Sequence, residues 1–284
     1  MMHIPVLVDK VLEILAPKEG GVYVDATLGG GGHSLALLER IGENGKVIGL
    51  DKDGVTIAIA KKRLPSGMEI YREDFVNMKD VVKNEKVDGI IFDLGLSSFQ
   101  LEDRNRGFSY TLDGPLDMRI DTNLTTKASD SLNRLSEEEI VDIFKKFGEE
   151  RNAKKIAKLL DERKKKKPIL TTGELVSIIK RVTPRRRHRK TLARIFQSLR
   201  IYVNDELNTL EKGLKEAVEI LKVEGRLCVI SYHSLEDRIV KNFFRELDGK
   251  KLRILTPKPL RPTRDEIERN RKSRSAKLRG AERL

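Results

Sequence analysis

Two kinds of residue in this chain could do chemistry by type and spacing: a block of glycines behind an acid-ended apolar run, and the acids that close three further runs. Val22-Tyr23-Val24-Asp25 is followed by Ala26-Thr27-Leu28, then Gly29-Gly30-Gly31-Gly32-His33, then Ser34-Leu35-Ala36-Leu37-Leu38 at helical spacing. This reads as strand, glycine loop and helix. Glycine lets such a loop turn tightly and lets a ligand lie against unpaired N–H groups at the helix start. The arrangement predicts a nucleotide-cofactor site.

Charge decides which cofactor. A dinucleotide loop must hold a pyrophosphate, which Asp25 at the loop mouth would repel, and its G-x-G-x-x-G pattern started at Gly29 demands glycine where Ser34 stands. S-adenosylmethionine carries a sulfonium and an ammonium and no phosphate. Asp25-x-Thr27-x-Gly29-x-Gly31 resembles the methyltransferase loop D/E-x-G-x-G-x-G, with Thr27 in place of its first glycine.

The elements that must position these residues follow in order. Lys46 to Asp51 reads as a second strand, whose terminal Asp51 is suited to the two ribose hydroxyls. A helix from Val55 to Leu64 stops at Pro65, and Glu69 to Asp74 reads as a third strand, with Asp74-Phe75 beside the adenine or Phe75 simply in the core. Val87 to Asp93 is a fourth strand. Ligands of an open parallel sheet sit outside the carboxyl ends of its strands. Asp25, Asp51, Asp74 and Asp93 are thus expected to line one crevice.

From Leu94 the pattern turns helical: Ser136 with Glu139 and Thr171 with Glu174 offer capping boxes, and Ile140, Ile143, Phe144 and Phe147 recur at helical spacing. A helix to Leu221, a break at Gly225 and a strand from Arg226 to Ser231 resume the α/β pattern. The fold expected is an α/β domain of residues 1–100 and 203–284 with a helical insertion at 101–202. Lys251 to Leu255 reads as an edge strand within a basic, partly extended tail.

The charge is unevenly placed. Residues 151–200 hold 18 Lys and Arg against 3 Asp and Glu, a net of +15, and residues 250–284 hold 13 against 4, a net of +9. With +13 on the whole chain, the rest carries −11. An acidic cofactor-binding body with two basic segments is the pattern for gripping a polyanion, nucleic acid above all. Arg163-Lys164-Lys165-Lys166-Lys167 alone also reads as a solvated helix end. Arg181, the run Arg185 to Lys190, Arg194 and Arg200 together repel one another unless an anion neutralises them. The single Cys228, in an apolar run, reads as a buried thiol, and scattered histidines make no zinc site. With no signal peptide and no run that spans a bilayer, a cytoplasmic protein without a membrane partner is expected. Whether it forms a homo-oligomer stays open.

Several longer segments carry a resemblance: Asp93-Leu94-Gly95-Leu96-Ser97-Ser98-Phe99-Gln100-Leu101, Arg106-Gly107-Phe108-Ser109, Asp113-Gly114-Pro115-Leu116-Asp117-Met118-Arg119, Phe196-Gln197-Ser198-Leu199-Arg200-Ile201, Ile230-Ser231-Tyr232-His233-Ser234-Leu235-Glu236-Asp237-Arg238 and Arg274-Ser275-Ala276-Lys277-Leu278-Arg279. From His3-Ile4-Pro5 to the tail the chain resembles the bacterial 16S ribosomal RNA cytosine-N4 methyltransferases of the RsmH (MraW) family. The resemblance implies a class I, Rossmann-like S-adenosylmethionine-dependent methyltransferase domain with a helical insertion for RNA recognition. It also implies a decoding-region cytosine of 16S ribosomal RNA, alone or in the small subunit, as the substrate. Carried over by motif position, it assigns Gly31, Gly32 and His33 to the cofactor loop, Asp51 to the ribose and Phe75 to the adenine. Asp93 and Gln100 would flank the methionine end and the target pocket.

Cytosine's exocyclic N4 has a lone pair delocalised into the ring, so an enzyme gains by accepting an N–H hydrogen bond and then the proton. Asp93 is the candidate acceptor, a purely cofactor-binding role for it remaining open. Asp117 and His233 are further candidates that read equally as fold-holding partners. Three rivals stand beside this reading. A DNA cytosine-N4 methyltransferase lacks its proline-rich tetrapeptide after Asp93, and a nicotinamide enzyme is disfavoured by Asp25 and Ser34. A non-catalytic RNA-binding protein would not need the full set of strand-end acids.

Overall fold

A computed structural model describes residues 5–284, so His3 and Ile4, where the family likeness begins, lie outside the described residues. The chain divides into two compact units, Met1–Ser97 with Leu207–Leu284, and Ser98–Glu206. The division expected from the sequence falls at 101 and 202. The short helix Ser98–Glu102 and the turn beyond Asn204 instead go with the helical unit.

In the first unit the elements are α1 (Val8–Leu15), β1 (Val22–Asp25), α2 (Gly32–Ile41), β2 (Lys46–Asp51), α3 (Gly54–Ala60), β3 (Glu69–Arg72), α4 (Met78–Val81) and β4 (Val87–Asp93). The helical unit holds α5 (Ser98–Glu102), α6 (Ala128–Arg134), α7 (Glu137–Lys146), α8 (Ala153–Lys164), α9 (Thr172–Val182) and α10 (His188–Asn204). The chain then returns through α11 (Glu206–Ile220), β5 (Leu221–Ser231), α12 (Ser234–Leu247), β6 (Leu252–Ile254), α13 (Arg264–Arg269) and β7 (Lys277–Arg283).

The strands form one seven-stranded sheet in the order β3-β2-β1-β4-β5-β7-β6. β7 runs antiparallel to both of its neighbours, and the other pairings are parallel. Helices cover both faces, which is why the central strands read as continuous apolar runs. Successive residues then go to opposite cores. Val24, Ile48, Ile90 and Val229 pack with Leu214 and Val218 of α11 and Phe244 of α12. Tyr23, Val47, Ile91 and Cys228 pack with Val11 of α1 and Leu37 of α2. Burial pushes the Cys228 thiol far above its ordinary range, so it is an inert core residue.

Three expected boundaries shift for tertiary reasons. α3 ends at Ala60, before Pro65, because Arg63 donates to the Gly30 carbonyl at 2.8 Å and Leu64 seats against Gly31. The chain enters β5 at Leu221 with an irregular register, Val87 facing Leu221 but Gly89 facing Arg226, so Gly225 lies inside the strand. The tail, expected to be partly extended with an edge strand near Leu252, contributes β6 as that edge and also β7, which zips between β5 and β6.

In the helical unit both capping boxes form, Ser136 with Glu139 opening α7 and Thr171 with Glu174 opening α9. Their apolar stripes, Ile140 and Phe144, and Leu175 and Ile179, are buried. α10 packs on α6, α7 and α9 through a face that includes Leu192, Ile195 and Leu199.

Candidate active site

Because β1, β2 and β4 are parallel neighbours, their last residues Asp25, Asp51 and Asp93 come to the same end of the sheet. Asp74 reaches that end from beyond its strand. β3 stops at Arg72, and Asp74 caps the 3-10 turn Phe75–Asn77, accepting from the Val76 N–H at 3.2 Å and facing Lys52 Nζ at 3.1 Å. A short carboxylate ahead of a turn satisfies the nearby N–H more readily than it extends a strand.

Asp25 also departs from expectation, being 1 % exposed and turned inward. It accepts from the Thr27 N–H at 3.3 Å and from Ser34 Oγ at 2.7 Å, stitching the glycine loop to α2. Burial raises its carboxyl above the usual range, against His33, Ser34 and Thr27, which act in the other direction. Its hydrogen bonds make it a brace of the loop.

Two loop amides expected to face a ligand are used internally, Gly29 N–H donating to Asp51 at 3.0 Å and Gly31 N–H to the Leu28 carbonyl at 2.8 Å. Gly31, at φ +75°, has Leu64 where a Cβ would stand, 2.7 Å away, and at Gly32 that place is held by Pro5 at 2.8 Å. At Gly29, with φ +52°, a Cβ would meet Thr27 O at an ordinary 3.6 Å, so no side chain is packed against it as at Gly31 and Gly32. Asp51 accepts from Gly29 and, at 2.9 Å, from the Asp53 N–H. Burial pushes its carboxyl up to about 6 despite those two donors. Each of its oxygens retains acceptor capacity, as two adjacent hydroxyls require. Phe75 is half-buried, its ring edge-on to Phe92 at 5.2 Å and resting on Gly213, where a Cβ would come within 2.4 Å of it.

Asp93 is partly exposed. Its N–H donates to Thr27 Oγ1, its Oδ1 accepts from the Tyr232 hydroxyl at 2.7 Å, and its Oδ2 lies 3.8 Å from His33 Nδ1. His33 is 6 % exposed, with Nε2 2.9 Å from the Val6 carbonyl, a pure acceptor, so Nε2 carries a proton. Sequence pattern does not single out Tyr232, whose signal there is membership of the segment from Ile230 to Arg238.

His233 caps α12. Its Nδ1 accepts from the Glu236 N–H at 3.3 Å, while Glu236 Oε2 accepts from the N–H groups of Tyr232 and His233 at 2.7 and 3.2 Å. Asp117, in the helical unit, is gripped on both oxygens by Arg119, at 2.7 and 2.8 Å. Burial raises its carboxyl, but the Arg119 side chain and N–H outweigh this and hold it below the usual range. Both residues thus fit the fold-holding role. Gln100 is buried on α5 of the helical unit.

Basic side chains of the helical unit divide into two groups. Arg163 meets Glu174, Lys164 and Lys165 meet Asp161, Arg194 meets Glu150, and Arg200 makes a two-point contact with Glu206. Arg181, Arg185, Arg186, Arg187, Arg189 and Lys190 are exposed around the start of α10. Among the described residues no helix is long and apolar enough to cross a membrane.

The strand order, the reversed β7, and a glycine loop flanked by strand-end acids define a class I S-adenosylmethionine-dependent methyltransferase domain. The model of the MraW methylase family matches residues 1–284, and the chain belongs to that family. It is 47% identical to the ribosomal RNA small subunit methyltransferase H of Carboxydothermus hydrogenoformans, over 99% of this chain and 98% of the relative. The protein of the same name from Caldicellulosiruptor saccharolyticus is 45% identical, over 99% of each chain. A solved structure from Clostridium thermocellum, assigned as an rRNA-methylase, shares the fold with a TM-score of 0.51 at 17% identity, over 100% of both chains.

Proposed function

We propose that this chain methylates the exocyclic N4 of a cytosine in the decoding region of 16S ribosomal RNA, in the cytoplasm. The observation that carries this reading is Asp93, a partly exposed carboxylate at the end of a central strand of a methyltransferase sheet, in a chain of the MraW family. When bound, S-adenosylmethionine supplies an electrophilic methyl group. The uncrowded backbone at Gly29 and the acceptor pair of Asp51 suit its adenosine, and Phe75 offers a ring for the base. Asp93 accepts the N4–H hydrogen bond, which localises the amine's lone pair, and then takes the proton that N4 sheds. The target base must leave its stack to reach such a group. The helical unit grips RNA phosphates through the exposed cations around Arg185 to Lys190.

Mass mapping of 16S ribosomal RNA incubated with the protein and S-adenosylmethionine tests the reading. N4-methylcytidine should appear in the decoding region only when both are present. Methyl transfer to DNA instead, or NADH binding without response to S-adenosylmethionine, would refute it.

Asp51 yields a second expected result. A free aspartate titrates near ~3.9. With the folded value at about 6, the folded chain holds more protons between these pH values, so stability falls as pH rises through that window. Asp51→Asn should therefore remove this fall, so that its Tm changes less than the parent's between about pH 4 and pH 7, while its NH₂, turned toward one of the two N–H donors, lowers stability alike at every pH. The same change should weaken S-adenosylmethionine binding in calorimetry by about 1 to 3 kcal/mol, the cost of an unmet hydrogen bond. An unchanged pH dependence of Tm with unchanged affinity would make Asp51 only a structural partner of the Gly29 N–H.

A further inference from the structure

We propose that Tyr232 is a positioning residue for methyl transfer, its hydroxyl holding Oδ1 of Asp93 so that Oδ2 is kept for the target amine. This rests on Asp93 being the N4–H acceptor, and it names the residue that makes a strand-end carboxylate a directed one.

A carboxylate at the end of a strand rotates about two bonds, and an acceptor that must meet an N–H in hydrogen-bond geometry loses rate when it does. Here the rotation is stopped from two sides. The backbone is pinned by the Asp93 N–H on Thr27 Oγ1 and the Leu94 N–H on the Ile230 carbonyl at 3.0 Å. The side chain is pinned by Tyr232 at 2.7 Å. Tyr232 is itself anchored through its N–H to Glu236 Oε2, the acid of the α12 capping box.

Its ring has a prepared seat. A Cβ at Gly95 would lie 2.6 Å from the ring's Cε2 and 3.0 Å from Cδ2, so glycine at 95 is what admits the ring beside β4. Burial, then the Asp93 charge and hydrogen bond, then Glu236 and Glu266, hold the phenol well above its ordinary range. The hydroxyl therefore stays protonated and donates at working pH. It does not compete for the amine's proton. The charged or titratable groups acting on this pair are His33, Asp25, Glu236 and Glu266.

Tyr232→Phe keeps the ring and deletes the donor. In single-turnover assays at saturating RNA and S-adenosylmethionine, the rate should fall about 10- to 10²-fold with cofactor affinity unchanged. In an Asp93→Asn background the same change should cost nothing more. Gly95→Ala, which displaces the ring with its hydroxyl intact, should slow transfer in the same way, and carries the test if Tyr232→Phe does not fold. A wild-type rate for Tyr232→Phe, or a further loss when it is added to Asp93→Asn, while Asp93→Asn is slow, would overturn the role of Tyr232 and leave that of Asp93 standing. A wild-type rate for Asp93→Asn would overturn both.

Discussion

Asp93→Asn should lower the single-turnover rate of methyl transfer on the order of 10² to 10⁴, the usual worth of a positioned proton acceptor, with RNA and cofactor both saturating. The reason is chemical. An amide presents a carbonyl to the amine but has no basicity with which to take its proton, and its NH₂ can occupy the position that should accept. Asp93 keeps its environment in the variant, because Tyr232 can still donate to the amide oxygen and Thr27 still receives the backbone N–H. Cofactor affinity measured alongside separates lost chemistry from lost binding. Near wild-type turnover would make Asp93 a binding residue. The acceptor would then have to be a backbone carbonyl, since Asp117 is gripped by Arg119 and His233 caps a helix.

Replacing Arg185, Arg186 and Arg187 together by Ala should weaken RNA binding on the order of 10²-fold at about 0.1 M salt, and should reduce the slope of log affinity against log salt by about 2 to 3. Each exposed guanidinium that neutralises a phosphate releases a counterion, and the slope counts them. S-adenosylmethionine affinity should not change. Arg163→Ala is the contrast: its guanidinium already sits 3.2 Å from Glu174, so its loss should barely move the slope. A triple variant with the parent slope would show that the exposed arginines are only a solvated face.

That contrast was not legible in the sequence. Charge counts identify residues 151–200 as strongly basic, yet treat Arg163, Arg194 and Arg200 like Arg185. Their carboxylate partners Glu174, Glu150 and Glu206 become visible only once the helices are packed. The same holds for the acids at the sheet. The four strand-end aspartates are equivalent by pattern, but Asp25 is drawn inward by Ser34 and Asp74 is occupied in capping a turn.

What the sequence determined by itself is what local pattern controls. The strands β1, β2 and β4 with their terminal acids, the glycine loop, the two capping boxes and the segregation of charge all depend on residues within a few positions of one another. What the tertiary structure decided is everything that depends on register between distant segments. Pairing Asp93 with Ile230 across β4 and β5 is what brings Gly95 and Tyr232, each two residues further on, beside one another and sets a hydroxyl on a carboxylate 139 residues away in the chain. Insertion of β7 between β5 and β6 is of the same kind. A hydrogen bond between strands is satisfied by any backbone in the right register, so the residue types of Lys277 to Arg283 do not announce which neighbours they will take.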